Sequence, residues 1–235
     1  MKTCFGSMLT TQFSRTGVFA TLLLVSVLAH ANGPLPSPVD DPDLRAAWSH
    51  YQDGALPQAA REYERAARRG QPIGQYNLAM MLLNGEGVRQ NPARARRWLR
   101  RAAQNGLAVA QYAEGLLYEN GEGVTKSQSQ AVHWYRLAAA QDNADAQMAL
   151  ATQYFVGRGV KKDYVAAAHW YERAAEAGVE PAQYIIASCY EHGDGVARDL
   201  QRAMYWYQQA ALQGDVLAID KLRVLTNASK RPPTT

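Results

Sequence analysis

The chain has 235 residues, of which 47% are apolar, 20% charged and 9% aromatic. This balance is typical of globular proteins, and it excludes a disordered chain, a collagen-like chain and a small disulfide-stabilised protein. The formal net charge is +4, which by itself does not indicate a nucleic-acid partner. Two cysteines, Cys4 and Cys189, are too few for a disulfide framework.

The first 31 residues have the pattern of a secretory signal peptide. Lys2 and Arg15 precede an uncharged run over residues 17–28, and Ala29-His30-Ala31 offers the small side chains that a signal peptidase reads. A transmembrane anchor is the alternative, but a helix of this length extends only about 18 Å, short of the ~30 Å hydrocarbon core. We therefore expect cleavage near Ala31 and a location in the periplasm or outside the cell.

Residues 32–43 read NGPLPSPVDDPD and contain four prolines. Proline lacks a backbone donor and disfavours helical geometry in the residue before it. We expect an extended linker here, ahead of the first folded unit.

A 36-residue period dominates the rest of the chain. The tetrapeptide Gly-x-Gly-Val recurs at this interval, beginning at Gly85, Gly121, Gly157 and Gly193. A tryptophan keeps the same interval at Trp98, Trp134, Trp170 and Trp206, and a glutamine does so at Gln75, Gln111, Gln147 and Gln183. A shorter unit precedes the four full ones. A fixed period of this length is typical of a stacked repeat array.

Each unit has the apolar spacing of two helices. The first helix of the first full unit shows the i, i+3, i+4, i+7 spacing of one buried face at Gln75, Leu78, Ala79 and Leu82. Gly85 is placed to end that helix in the left-handed conformation. Four residues that suit an N-cap then occupy equivalent positions before the second helix: Asn91, Ser127, Asp163 and Asp199.

We therefore predict an all-α fold, a right-handed α-α superhelical solenoid of about five helix-turn-helix units. The predicted segments are a signal peptide (1–31), a linker (32–43), a degenerate N-terminal repeat (44–71), repeat 1 (72–106), repeat 2 (107–142), repeat 3 (143–178), repeat 4 (179–214), a C-terminal capping helix (215–226) and a disordered tail (227–235).

The run A-x-x-x-L-G-x-x-Y-x-x-G-x-G-V-x-x-D-x-x-x-A-x-x-W-Y-x-x-A-A resembles the Sel-one-like repeats, which are related to the tetratricopeptide repeats. Repeat 3 carries it at Ala146, Leu150, Ala151, Tyr154, Gly157, Gly159, Val160, Asp163, Ala167, Trp170, Tyr171, Ala174 and Ala175. The chain departs from it at Leu82, Leu99, Asp142 and Met148. The resemblance implies an adaptor or assembly scaffold of the exported bacterial type, with a protein or peptide partner. Some exported members join each repeat by a disulfide, and this chain has no such cysteine pairs.

Partner recognition is expected at positions that differ between repeats, because the repeated positions serve packing. First helices commonly line the concave side of such solenoids. The predicted partner-binding stripe consists of Ile73, Asn77, Met80, Met81, Asn84, Val109, Ala113, Leu116, Leu117, Asn120, Thr152, Ile185 and Ser188. The alternative is that these side chains pack against the neighbouring repeat.

Charge is uneven along the array. Residues 61–101 carry a net +7 and residues 102–199 a net −5. The second helices of the early repeats hold a predicted basic patch of Arg68, Arg69, Arg94, Arg97 and Arg101. It could contact peptidoglycan or another anionic component of the cell envelope, which makes an envelope accessory protein the alternative function. The other interpretation is that these arginines form the solvated outer face of the second helices.

No catalytic motif is present. We predict no enzymatic activity, no metal, no cofactor, no nucleic-acid partner and no membrane span in the mature chain. His133 and His169 occupy equivalent positions too far apart to share a metal easily, and Cys189 is expected to be a buried free thiol. A third hypothesis, a weak cell-wall or β-lactam hydrolase, would need a carboxylate or nucleophile with a perturbed pKa in a cleft, and the sequence offers no candidate.

Overall fold

The computed structural model describes residues 41–229, in which eleven α-helices and no strands are found. The predicted signal peptide and most of the predicted linker lie outside the described residues, as do residues 230–235. The helices are α1 (Pro42–Gln52), α2 (Leu56–Arg68), α3 (Pro72–Asn84), α4 (Pro92–Gln104), α5 (Ala108–Asn120), α6 (Gln128–Ala139), α7 (Ala144–Val156), α8 (Tyr164–Glu176), α9 (Glu180–His192), α10 (Leu200–Leu212) and α11 (Val216–Ser229).

The helices pack in pairs, and each pair packs on the next. Because a repeat contacts mainly its neighbours, the apolar core runs along the stack. Small side chains line it: Ala95, Ala131, Ala167 and Ala203 are each 1% exposed or less. The predicted helical repeat solenoid is confirmed.

Glycine and polar caps shape the turn inside each repeat. Asn91 accepts a hydrogen bond from the backbone N–H of Arg94 at 3.0 Å, and Asp163 does the same for Ala166, so the predicted N-caps are confirmed. Gly85 ends α3 with φ 75°. The second glycine of the turn has a different role, because a Cβ on Gly159 (φ 67°) would overlap the carbonyl of Gln128 on the preceding repeat. That glycine lets the turn touch the neighbouring second helix.

The recurring glutamine ties each repeat to the one before it. The side-chain amide of Gln75 donates to the carbonyl of Ala67 at 3.2 Å, across the junction between α3 and α2. The equivalent glutamines, Gln111, Gln147 and Gln183, donate at 3.2–3.3 Å to the carbonyls of the equivalent alanines, Ala103, Ala139 and Ala175. These glutamines are at most 5% exposed, so each buried amide has a defined partner in the adjacent repeat.

Both ends of the array differ slightly from the prediction. Helix α1 begins at Pro42, inside the predicted linker, because proline is tolerated in the first turn and Asp41 accepts the N–H of Leu44 at 3.3 Å. Helix α11 continues through Ser229, into the predicted tail. No glycine or proline interrupts residues 215–231, so nothing local ends the helix at 226.

Helix α11, the last helix described, has a charged residue at a packing position. Arg223 is in 36-residue register with Ala79, Gly115, Ala151 and Ala187, all of which are buried. The Arg223 side chain is instead 72% exposed and pairs with Asp220 at 2.8 Å.

Candidate functional site

The residues of the predicted partner-binding stripe differ in how accessible they are to solvent. Asn84 and Asn120 are exposed, and each donates its side-chain amide to the glutamate of its own turn, Glu86 or Glu122. Six others are half-buried and reachable from solvent: Ile73, Met80, Val109, Leu116, Thr152 and Ile185.

The other five stripe residues are buried, which corrects the prediction for them. They are Asn77, Met81, Ala113, Leu117 and Ser188. Met81 is 1% and Leu117 3% exposed, and both belong to the apolar core. Successive side chains of a helix point about 100° apart. Met81 and Leu117 directly follow the half-buried Met80 and Leu116, and they therefore point into the core.

The accessible apolar part of the stripe lies in repeats 1 and 2. It consists of Ile73 and Met80 on α3 and Val109 and Leu116 on α5, and we call these four residues the first-helix face. The positions equivalent to Val109 in repeats 3 and 4 are Asp145 and Pro181. The face is therefore apolar over only two of the four full repeats.

The structure brings four of the five predicted patch arginines together. Arg68 on α2 and Arg94, Arg97 and Arg101 on α4 line one open groove of about 380 Å³, together with Glu64 and Trp98, whereas Arg69 is not among the lining residues. We call this site the arginine groove. Sequence reasoning missed Glu64, because its contact with Arg94 spans 30 residues and depends on how α2 packs against α4.

Several guanidinium groups of the groove are held in place. Glu64 lies 2.9 Å from Arg68 and 3.2 Å from Arg94. The Arg101 guanidinium lies 4.8 Å from the centre of the Trp98 ring, in a cation–π contact. Arg97 forms no ion pair with any described carboxylate. One carboxylate faces four guanidinium groups, so the groove has an excess of positive charge suited to carboxylate or phosphate groups.

The fold itself does not require arginine at these positions. In 36-residue register with Arg94, Arg97 and Arg101, repeat 2 has Gln130, His133 and Leu137, and repeat 3 has Ala166, His169 and Arg173. Repeat 2 thus achieves the same helix packing with no arginine at these three positions. Arg97 and Arg101 are therefore available for a role other than packing, whereas the ion pair of Arg94 with Glu64 recurs in repeat 4 as Arg202 with Glu172.

Glu114 is a buried carboxylate that the sequence analysis overlooked. It is 0% exposed, and neither carboxylate oxygen has a hydrogen-bond partner among the described residues. The equivalent residues are Leu78, Leu150 and Ile186, so the 36-residue register was the signal that could have found it. Burial raises the pKa of Glu114, and the charges of Arg96 and Arg100 oppose that rise. It lies in the core rather than in a cleft, so it does not supply the site that hydrolysis would need.

The histidines and Cys189 have local structural contacts. The ring of His133 packs edge-on against that of Trp134, with 5.5 Å between the ring centres. The rings of His169 and Trp170 do the same, with 5.1 Å between their centres. Cys189 is a buried free thiol, as predicted, and burial raises its pKa to about 12.

The Nδ1 atom of His50 lies 2.8 Å from a carboxylate oxygen of Glu62. Within residues 41–229, no group of three or more His, Cys, Asp or Glu side chains is placed to hold a metal ion. No helix of this part of the chain is both long and apolar enough to cross a bilayer.

Comparison with known proteins places these features in a family. The Sel1 repeat matches residues 72–107, 108–143, 144–179 and 180–215. The solved structure of c5321, a protective antigen of uropathogenic Escherichia coli with an SLR fold, is 30% identical over 80% of this chain, with a TM-score of 0.70. A Sel1 repeat protein from Oxalobacter formigenes is 33% identical over 72% of this chain, with a TM-score of 0.67. The matches cover 43% and 49% of those two chains. No curated protein matches.

Proposed function

Because the chain belongs to the Sel1 repeat family, we propose that it is an exported protein-interaction scaffold that holds a peptide or protein segment on the first-helix face. Sel1 repeat proteins are generally non-catalytic interaction scaffolds. The observation that carries the proposal is the first-helix face itself, four apolar side chains that pack partly against the core, stay half-buried and stand at positions that vary between repeats. In this proposal the scaffold performs no chemistry of its own.

The chemistry of the face favours an apolar segment as the ligand. Ile73, Met80, Val109 and Leu116 are half-buried in the free chain, so a partner that covers them removes further apolar surface from water. That burial contributes roughly 25 cal/mol per Å². Methionine adapts its shape to different partners. In this proposal an amphipathic helix or an extended peptide lies across α3 and α5.

Export is the second part of the proposal, and the signal-peptide pattern of residues 1–31 supports it. In a bacterial host the mature chain would work in the periplasm. Sequencing the N-terminus of the protein from a periplasmic fraction tests this part. A first residue at or near Asn32 is expected, and a retained Met1 in the cytoplasmic fraction would contradict it.

The double variant Met80→Asp plus Leu116→Asp tests the first-helix face. It places two charges on the face, and we expect loss of the proteins that crosslink to the wild-type chain in envelope extract. The control is Val165→Asp plus Leu212→Asp, which makes the same change at two exposed apolar residues of second helices, 68% and 75% exposed. Unchanged partners in the first variant, with unchanged thermal unfolding, would remove the face from the proposal.

A second candidate function is contact with peptidoglycan or another anionic envelope component through the arginine groove. The specific observation is the convergence of four arginines on one groove, where packing alone does not require them. We expect Arg97→Glu plus Arg101→Glu to reduce retention on purified cell-wall sacculi. The control Arg158→Glu plus Lys161→Glu changes the net charge equally at exposed residues of another turn. Equal retention of both variants would exclude the groove.

A further inference from the structure

The turn of repeat 3 replaces a hydrogen-bonded pair that repeats 1 and 2 share. In repeat 1 the side chain of Asn84 donates to Glu86 at 3.0 Å, and the equivalent bond recurs in repeat 2 at 3.1 Å. Val156 and Arg158 stand at these two positions in repeat 3. Both members of the pair are thus replaced, the amide by an apolar side chain and the acid by a cation.

The same turn is the most basic of those in the four full repeats. Residues 157–163 have a net charge of +2, from one acid, Asp163, and three cations: Arg158, Lys161 and Lys162. The equivalent segments of repeats 1, 2 and 4 have net charges of 0, 0 and −1. The Asp163 carboxylate is already engaged as the N-cap of α8. All three cations are exposed, so the turn presents their charges to solvent.

The fold makes little use of these cations. In repeats 1 and 4 the side chain equivalent to Lys162 donates to a carbonyl at the end of the first helix, at 2.7 and 3.0 Å. The Lys162 ammonium instead lies 4.8 Å from the centre of the Tyr164 ring. Arg158 and Lys161 form no side-chain hydrogen bond or ion pair within the described part of the chain. Their charges are thus available to a ligand.

Exposed apolar side chains accompany the cations. Val156, Tyr164 and Val165 are 40%, 45% and 68% exposed. Repeat 2 has polar residues at the same three positions: Asn120, Gln128 and Ser129. The repeat therefore folds without apolar side chains here, as it folds without the cations.

Short contacts hold the apolar side chains and the cations together. The backbone N–H of Asp163 donates to the carbonyl of Tyr154 at 3.0 Å, which closes the turn between α7 and α8. The Tyr164 ring packs edge-on against Phe155, with 5.3 Å between the ring centres, and has the Lys162 ammonium over its face. We call six residues of this region the basic turn: Val156, Arg158, Lys161, Lys162, Tyr164 and Val165.

We propose that the basic turn binds the surface of an anionic phospholipid bilayer. Its three cations contact the lipid phosphate groups, since lysine and arginine are attracted to anionic lipid at close range. Tyr164 and Val165 enter the interfacial layer, where the amphipathic tyrosine ring is favoured. The contact is peripheral, because only the side chains of one turn and one helix end take part. It is independent of the first-helix face and of the arginine groove.

Exposure favours a bilayer over an acidic protein segment as the ligand. Tyr164 and Val165 are exposed, whereas the four residues of the first-helix face are half-buried. A peptide that binds by apolar side chains lies in a groove or along a sheet edge, but a bilayer accepts side chains that protrude from the protein. Lipid headgroups also move to meet cations at any spacing, whereas an acidic peptide must match the spacing that the turn provides.

Sedimentation with lipid vesicles tests the proposal. The chain used begins at Asn32, without the apolar run of residues 17–28, which would itself enter a bilayer. We expect it to bind vesicles of phosphatidylcholine with about 30 mol% phosphatidylglycerol, and to bind vesicles of phosphatidylcholine alone at least about 20-fold more weakly. Salt at about 0.5 M should weaken the binding, because it screens the cations.

The variant Val156→Asn plus Arg158→Glu tests the charges of the turn. It installs the hydrogen-bonded pair of repeats 1 and 2, so the fold is expected to keep its thermal stability. The net charge falls by two, and each elementary charge near the surface changes partitioning by roughly fivefold, so we expect about 25-fold weaker binding. The control Arg61→Gln plus Arg65→Gln loses the same charge at exposed residues of α2 and should change binding less than about threefold.

The variant Tyr164→Gln plus Val165→Ser tests the apolar part. It installs the residues of repeat 2 and leaves the net charge unchanged. We expect roughly fivefold or more weaker binding to the anionic vesicles, with the dependence on salt retained. Thermal unfolding of both turn variants checks that their loss of binding is not a loss of folding.

Three outcomes would overturn the proposal. Equal binding to both kinds of vesicle would exclude anionic lipid as the ligand. Equal losses in the charge variant and its control would show a general effect of net charge. Vesicle binding that is unaffected by the Tyr164 and Val165 changes, together with equally tight binding of an oligoglutamate peptide, would assign the turn to an acidic protein. Purified sacculi contain no bilayer, so the charge change at Arg158 and Lys161 remains a control for the arginine groove.

Discussion

The side-chain amide of Gln213 donates a hydrogen bond to the side-chain oxygen of Gln183 at 2.9 Å, joining the end of α10 to α9. The equivalent bonds are Asn105 to Gln75 at 3.0 Å and Gln141 to Gln111 at 2.7 Å. In these repeats the side-chain nitrogen of the recurring glutamine thus donates a hydrogen bond to the preceding repeat. Its side-chain oxygen accepts one from the residue that follows the second helix of the same repeat. Repeat 3 breaks this pattern.

Ala177 occupies the donor position in repeat 3, and the buried side-chain oxygen of Gln147 has no hydrogen-bond partner among residues 41–229. We expect Ala177→Gln to raise the free energy of unfolding by about 1 kcal/mol, since it supplies the missing donor. Urea unfolding measures the change. Ala177→Leu adds a side chain with no donor and serves as control. If the two variants are equally stable, the added hydrogen bond contributes nothing.

Replacement by alanine should cost more stability at a glycine that touches the preceding helix than at one with open space around it. Gly159→Ala would force a Cβ into the carbonyl of Gln128 and is expected to cost about 2–4 kcal/mol, because backbone must move. Gly178 also has a positive φ, 89°, but an added Cβ there has no atom within 4 Å. Gly178→Ala should cost only about 1 kcal/mol. Thermal unfolding compares them, and equal losses would show that the turn does not touch the preceding helix.

Glu191 should make the attachment of α11 sensitive to acid. Burial alone would raise the pKa of Glu191, but hydrogen bonds from Tyr207 and Lys221 outweigh it and the pKa is lowered. A lowered pKa contributes stability above the ordinary glutamate value, and that contribution is lost as pH falls through the lowered value. Glu191 thus responds to pH in the opposite direction to Glu114.

The variant Lys221→Met removes the 3.0 Å ion pair with Glu191 that holds α11 to α9. We expect a loss of about 1 kcal/mol at neutral pH, which shrinks well below pH 4.5 where Glu191 is protonated in the folded chain as well. Urea unfolding at the two pH values measures it. Arg223→Met, on the same helix but paired only with exposed Asp220, is the control. A loss independent of pH would assign the effect to packing.

Asp142 has φ 61°, the one positive φ outside glycine among the described residues. Glycines stand at the equivalent positions 70, 106, 178 and 214. Asp142→Gly relieves the backbone cost but removes an ion pair with Arg173, in which the two side chains are 73% and 41% exposed. Exposed pairs contribute little, so we expect a gain of up to about 1 kcal/mol in thermal unfolding. Asp142→Ala keeps the backbone cost without the ion pair and should be less stable than the wild type.

The sequence predicts the features that a local rule sets and misses those that packing between repeats sets. The N-cap of Asn91 and the left-handed Gly85 follow from a local rule seen four times. The prediction is wrong for Met81 and Leu117 because accessibility depends on which neighbouring helix covers each side of α3 and α5. Glu114 breaks the register, which marks it as unusual, but its complete burial follows only from the packing of α5. The contact between Glu64 and Arg94 depends on packing between repeats, which no local pattern specifies.

Arg223 has a consequence for how copies of this chain meet. A further helical pair docked on α11, or the end of a second molecule, would have to dehydrate a guanidinium group at the point where the interior repeats use alanine or glycine. Such burial without a new counter-ion is costly. The exposed Arg223 on this face of α11 therefore discourages head-to-tail filaments, a hazard for any protein built from identical stacking units.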